Sequence, residues 1–554
     1  MKKRTILGLI ALPIACICLL AFKSGDNRLF QIAKNLDIFS AVVKELDLFY
    51  VDSIDANKMI REGIDEMLYG LDPYTVYYPE DDRDELEQMV KNSYGGIGSI
   101  ITWNSKLDHS VIAEPYEGMP ADKAGLKAGD ILLELDGKEL KGLGNEKVSE
   151  MLRGQIGTRF HLKVQRPGTK KPLEMDIVRG SIQLPIIPYY TKMEQGVGYI
   201  NLSTFSGNPS KEFRKAFLDL KKQGITSLVI DLRGNGGGLL DEAIEIANYF
   251  LPRGKVLVTT KGKNKQVSDT YKTQREPLDA QMPLAVLVNS VTASSSEILA
   301  GSLQDLDRAV IIGTRTYGKG LVQTPRPLPY GGAMKLTTSK YYIPSGRCVQ
   351  AIDYAHRNED GSVGRIPDSL TTVFHTAAGR EVRDGGGILP DIVTEREKLP
   401  NILYYLIADH LIFDYATQYC LQHPTIAEAE TFNLSDEDYE VFKTYVKEQD
   451  FKYDQQTEKI LKNLKEMAQF EGYLETASAE FDALEQKLQH NLDRDLDYFA
   501  RPIKESLAEE IVKRYYYQRG SIIKQLKEDA DLKAALRILT DSAEYSRILS
   551  VEKK

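Results

Sequence analysis

Three consecutive serines, Ser294, Ser295 and Ser296, follow the apolar run 284–288 and precede a helical pattern over 297–304. A serine at a strand-to-helix turn has its hydroxyl exposed and the unpaired N–H groups of the helix close by. Lys319 comes 25 positions after Ser294, between Gly318 and Gly320, behind the apolar run 309–313. A serine nucleophile needs a base, and a desolvated lysine can serve, because burial lowers the pKa of an ammonium group. Local chemistry leaves a plainer option open, an ordinary strand–helix–strand piece with a polar turn. A phosphate loop is the other rival, since 313–319 fits G-x-x-x-x-G-K. However, Gly320 stands where Ser or Thr would hold magnesium. The next segment, L-V-Q-T-P-R-P, carries two prolines and cannot open a helix.

Two motifs decide between these options. T-A-S-S-S-E-I (292–298) and T-Y-G-K-G-L-V-Q (316–323) resemble the two signature turns of the carboxyl-terminal processing peptidases, also called tail-specific proteases, at that family's spacing. The resemblance implies an enzyme with a Ser–Lys dyad: Ser294 as nucleophile, Lys319 as base, and Gln323 orienting the lysine. Asp305 matches an aspartate implicated in some members, or else caps or pairs on the helix surface. The glycine turn G-N-G-G-G (234–238) follows the buried-strand pattern S-L-V-I-D and suits backbone donors aimed at a developing oxyanion. It does not match the dinucleotide pattern G-x-G-x-x-G. The resemblance places the oxyanion amides at Gly237 and Ser295. The alternative is a PDZ-based scaffold with an inactive protease core; intact Ser294, Lys319 and Gln323 argue against it.

The elements that must position these residues give a multidomain α+β chain. Residues 26–92 form an N-terminal helical segment: Leu29, Ile32, Leu36, Phe39, Val43 and Leu46 make one apolar stripe, and a second helix over 56–69 closes at Gly70. Residues 93–181 resemble a PDZ domain. Gly95, Gly96, Ile97 and Gly98 form the loop expected to take a terminal carboxylate. Val148 and Leu152 lie on the apolar face of the expected groove helix. Such modules bind an extended C-terminus by strand addition. Residues 182–395 form the α/β catalytic core, with a surface excursion over about 353–383. Residues 396–554 form a helical C-terminal domain, rich in charge and carrying no motif of its own.

Composition sets the outer limits. The chain has 554 residues, 42% hydrophobic and 27% charged, enough for several cores. A net charge of −9 gives no reason to expect nucleic-acid binding. The seven histidines are scattered without metal-ligand spacing, so neither a metal nor another cofactor is expected. Of the four cysteines, Cys16 and Cys18 lie in the N-terminal apolar segment, and Cys348 and Cys420 are expected as free thiols. Lys2, Lys3 and Arg4 ahead of the apolar run 6–22 make residues 1–25 a signal peptide or a membrane anchor. The expected location is therefore outside the cytoplasm, periplasmic or in the cell envelope, free or anchored in the inner membrane. The expected partners are protein or peptide substrates with free apolar C-termini. A homodimer through the N-terminal stripe is an open option.

Overall fold

The computed structural model describes residues 28–80, 93–358, 360–395, 398–454, 456–488 and 491–550. The signal or anchor expected over 1–25 lies outside the described residues. Among those described, no helix is long and apolar enough to cross a membrane. The described residues divide into a small unit (within 28–80 and 323–337) and a large one (within 93–322 and 338–550).

In the small unit a helix over 28–49 precedes a second, Ala56–Tyr69, which ends at Gly70. Leu29, Ile32, Leu36 and Phe39 of the first helix are exposed among the described residues, while Val43 and Leu46 are half-buried. In the turn L-D-P-Y-T, Asp72 accepts the N–H groups of Tyr74 and Thr75, each at 2.8 Å. This Asx turn delivers the strand Val76–Tyr78, which pairs antiparallel with residues 333–335. The amide of Gln323 donates to Thr337 Oγ1 at 3.1 Å.

In the large unit the region expected to hold the core centres on a six-stranded sheet. Its order is Tyr189–Lys192, Val197–Asn201, Ser227–Asp231, Leu284–Val288, Val310–Gly313, Ile392–Val393. The first pair is antiparallel and the others are parallel. Parallel strands need crossover connections, and the helices Pro209–Lys222, Leu240–Asn248 and Ser295–Asp305 supply them. The strands read as unbroken apolar runs because the sheet is covered on both faces. Ile230, Val286, Val288 and Ile311 meet the crossover helices on one face. Val229, Ala285, Leu287 and Ile312 meet Leu532, Ala535, Ile538 and Leu539 on the other. Those last four belong to the helix Ala530–Thr540. The tail of the chain, grouped by sequence with the C-terminal helical domain, therefore closes the catalytic sheet. Arg233 ties it down, pairing with Asp231 (2.7 Å), Asp529 (2.6 Å) and Asp531 (2.9 Å).

The PDZ-like module is a sheet of order Ser99–Asn104, His109–Pro115, Ile131–Leu135, Arg159–Gln165, Leu173–Val178, with helices Pro120–Lys123 and Gly144–Leu152. It rests against the helical domain: Tyr517 Oη donates to Asp122 at 2.8 Å, and the side chain of Thr417 fills the space beside Gly129. The helical domain has its own core, including Leu406, Tyr415, Phe442 and Ile511. Cys348 and Cys420 are free thiols, as expected.

The insert 353–383 is less of an excursion than its composition suggested. Its second hairpin, Val373–His375 with Glu381–Arg383, reaches back to the end of the helix Ser295–Asp305. Ala377 N–H donates to Asp305 O at 2.7 Å, and Arg380 pairs with Asp307 (2.7 Å) and Asp391 (2.5 Å).

Candidate active site

The helix Ser295–Asp305 runs through the middle of the core, and all its residues are buried. Its small residues allow this. A Cβ on Gly301 would lie 2.7 Å from both Ile343 and Ile388. Its polar residues are satisfied, as buried groups must be. Ser302 donates to Leu257 O at 2.9 Å, and Gln304 donates to Leu389 O at 2.9 Å. Asp305 pairs with Arg347 at 2.8 Å, both groups almost fully buried. Asp305 thus anchors the far end of the helix to the 345–347 loop; it does not pair on the surface.

The three serines differ in their surroundings. Ser295 and Ser296 are buried, and they donate to the carbonyls of Gly238 (2.8 Å) and Asn235 (3.0 Å). Ser294 is half-buried, at φ 57 and ψ −119. Such a backbone costs a non-glycine residue about 1–3 kcal/mol and persists only where neighbours impose it. The neighbours are on hand. Ala293 N–H donates to Asn235 O (3.0 Å), and Ser294 N–H donates to Glu297 Oε2 (2.9 Å).

Glu297 was missed as a functional residue by sequence reasoning. Its signal was the S-x-x-E spacing from Ser294, the pattern of a helix capping box. The carboxylate is fully buried and reaches beyond its own helix. Oε1 accepts from Thr316 Oγ1 (2.5 Å) and Gly318 N–H (2.8 Å), and Oε2 accepts from Lys319 N–H (2.8 Å). Burial pushes its carboxyl up to about 7, against the pull of these hydrogen bonds. Tyr341 makes a matching bridge on the carbonyl side, with its hydroxyl 2.5 Å from Lys319 O and 3.2 Å from Ser294 O. The turns of Ser294 and Lys319 are therefore held together by two side chains that touch both.

Lys319 is half-buried. Gly318 has φ 88, and a Cβ there would lie 2.3 Å from that of Ala351. Only glycine fits so close an approach at that angle. Gly320 N–H donates to Gln350 Oε1 at 2.7 Å.

The remaining expected site residues fall as follows. Gly237 packs on the serine turn, where a Cβ would be 2.8 Å from Ser294 Cβ and 3.0 Å from Ser295 N. Its own N–H, however, is taken by Asn235 Oδ1 at 2.9 Å. The structure therefore brings Gly237 to the site without an amide turned toward the reacting atoms. Asn235 was missed by sequence reasoning. It holds the glycine turn to both Leu202 O (2.8 Å) and the serine turn. Gln323 lies in the small unit, with the Thr337 partner given above. Gly95 and Gly96 sit in the strand Ser93–Gly96, paired with Gly180–Gln183. The carbonyls of Ile97 and Gly98 accept from Ala121 (2.7 Å) and Tyr116 (2.9 Å). Val148 and Leu152 are not an open wall. Both are buried members of the module's core, on the inward face of a short helix. The strand Ser99–Asn104 beside that helix lies at the edge of its sheet. Among the described residues no group of three His, Cys, Asp or Glu could hold a metal ion.

Residues 196–355 match the model of peptidase family S41, residues 111–166 a PDZ domain, and residues 402–539 the C-terminal helical domain of probable PDZ-proteases. A carboxy-terminal-processing protease of Bartonella bacilliformis is 36% identical over 331 residues, which are 59% of this chain and 74% of that one. The chain belongs to the carboxy-terminal-processing proteases. It is a serine peptidase with a PDZ domain, a family S41 core and a C-terminal helical domain. A probable CtpA-like serine protease of Staphylococcus aureus is 34% identical over 329 residues, and the match spans 64% of its length. The solved photosystem II D1 C-terminal processing protease is 28% identical, covering 65% of this chain and 93% of that one, with a TM-score of 0.37.

Proposed function

We propose that this processing protease cuts exported proteins near their C-termini with a Ser294–Lys319 dyad. Ser294 attacks the scissile carbonyl while Lys319 takes its proton and later returns it to the leaving amine. Gln323 orients the lysine. Of the two expected oxyanion donors, the Ser295 N–H at the start of its helix has the better claim. Gly237 packs close by, but its N–H is engaged by Asn235. The observation that carries the proposal is the shared hold of Glu297 on the turns of Ser294 and Lys319.

The PDZ module selects tails by adding them to the edge strand Ser99–Asn104, with the terminal carboxylate at the Gly95–Gly98 loop. The basic and apolar N-terminus supports export, as a cleaved signal or an inner-membrane anchor. The exposed stripe of the helix over 28–49 supports pairing with a second copy. The test is substrate capture by the Ser294→Ala form in the cell envelope, read by mass spectrometry. Captured proteins should share free apolar C-termini, and amidating such a terminus should weaken cleavage about tenfold to a hundredfold, the loss of one charge-assisted hydrogen bond. Equal cleavage of amidated and free tails would overturn tail recognition.

A further inference from the structure

We propose that Glu297 is a positioning residue that holds Ser294 and Lys319 in reactive register, and that it does so only as a carboxylate. This rests on the Ser–Lys proposal above. The geometry leaves the carboxyl group no slack. Each oxygen receives two donors: Oε1 from Thr316 and Gly318, and Oε2 from Ser294 and Lys319. An ionised carboxylate offers about four lone-pair sites, so all are filled. Three of the donors are backbone N–H groups and cannot reverse. The fourth is the buried hydroxyl of Thr316, which donates to Oε1 while its own oxygen accepts from Ile388 N–H at 2.6 Å. A proton on Oε2 would face two N–H donors that cannot reverse, so at least one of those contacts must open, and a proton on Oε1 is met only if the buried Thr316 hydroxyl turns its own proton away. Opening on the Oε2 side releases the strained Ser294 backbone and the Lys319 turn together.

Other titratable groups flank the carboxylate. Lys319 lies on the turn that it holds. Tyr341, from the strand Ala333–Tyr342, covers the carbonyls of the same two turns. Cys348 comes from the loop after that strand, its thiol pushed up by burial and, to a lesser degree, by the charge of Glu297. Burial also lifts Glu297 to about 7, which puts the loss of the carboxylate within reach of mildly acid conditions.

The experiment is the pH dependence of log kcat/KM for the full chain on an unfolded protein with a free apolar tail. With Glu297 and Lys319 both required without their protons, the wild-type limb should have slope two below about 7 and slope one above it, until Lys319 has titrated. Glu297→Gln should lose about a hundredfold in kcat, the effect of a small misplacement, and keep slope one throughout. Thr316→Val removes a hydrogen bond that pulls the carboxyl down, so the break should move to higher pH with Glu297 intact. A wild-type rate for Glu297→Gln, or a wild-type limb of slope one throughout, overturns the inference. Should Glu297→Gln fail to fold, an unmoved break in Thr316→Val overturns it instead. Cleavage by Ser294→Ala would instead sink the dyad itself, a separate failure.

Discussion

The backbone N–H groups of Ser294 and Lys319 donate to one and the same oxygen, Oε2 of Glu297, at 2.9 and 2.8 Å. Two turns 25 positions apart in the chain are thus fixed across a single atom at the centre of the fold. Catalysis by a pair of side chains depends on such alignment, where small shifts cost large factors in rate.

The three serines should separate cleanly. Ser294→Ala should abolish cleavage with little change in stability. Ser295→Ala and Ser296→Ala each leave a buried carbonyl acceptor short of a donor, at Gly238 and Asn235. Each should lose about 1 kcal/mol of stability and keep clear activity. Thermal melts beside initial rates decide it; an inactive Ser296→Ala with an active Ser294→Ala would move the nucleophile.

The lysine turn should tolerate no Cβ. Gly318→Ala places a methyl 2.3 Å from Ala351 Cβ at a left-handed φ of 88. The backbone strain alone is about 1–3 kcal/mol, and the shifted turn should lower kcat at least tenfold, since alignment is lost. Gly63→Ala is the contrast, with nothing within 4 Å and a place inside the helix Ala56–Tyr69. It should stabilise by up to about 1 kcal/mol. Equal behaviour of the two in melts and rates would contradict this account.

The two signature turns were legible because each combines rare local chemistry with a set spacing. The sheet was legible because parallel strands buried on both faces read as apolar runs, 227–231 and 284–288 being the clearest. Glu297 was hidden because its local pattern is that of a helix cap, and only the fold brings Thr316, Gly318 and Lys319 to its other side. Gly237 was expected as an oxyanion amide, and no sequence pattern shows that Asn235 would take its N–H. Val148 and Leu152 have helical spacing that fits a groove wall and a core equally well. The helix Ala530–Thr540 was grouped with the helical domain because amphipathic periodicity names an apolar face without naming what it covers.

That last helix makes a stability prediction. Arg233 neutralises Asp231, Asp529 and Asp531 in a mostly buried cluster, and those carboxylates hold its guanidinium charged well above the usual range. Arg233→Ala should cost about 3–5 kcal/mol, because it leaves buried carboxylates uncompensated. Urea titration reads the loss, and a change below about 1 kcal/mol, the size of an exposed pair, would contradict the closing role of the tail.

Stability should also follow the titration of Glu297, in the opposite sense to activity. Burial raises its folded value to about 7, above the ordinary glutamate value of 4.5. The native state therefore binds this proton more tightly, and the stability gained is full below 4.5 and lost as pH rises through about 7. Unfolding free energy of wild type relative to Glu297→Gln should fall by about 2.5 kcal/mol between pH 5 and 8. Urea melts across that range should show the slope, and a flat difference would rule it out.

The central claim is that Ser294 and Lys319 act as one unit. The most direct measurement is the initial rate of tail release from an unfolded protein with a free apolar C-terminus, by Ser294→Ala, Lys319→Ala and the double variant, each with an unchanged melting temperature. The account predicts that all three are inactive to the same floor, because a nucleophile without its base and a base without its nucleophile are equally useless. Substantial cleavage by Lys319→Ala, or a double variant much slower than either single one, would contradict it.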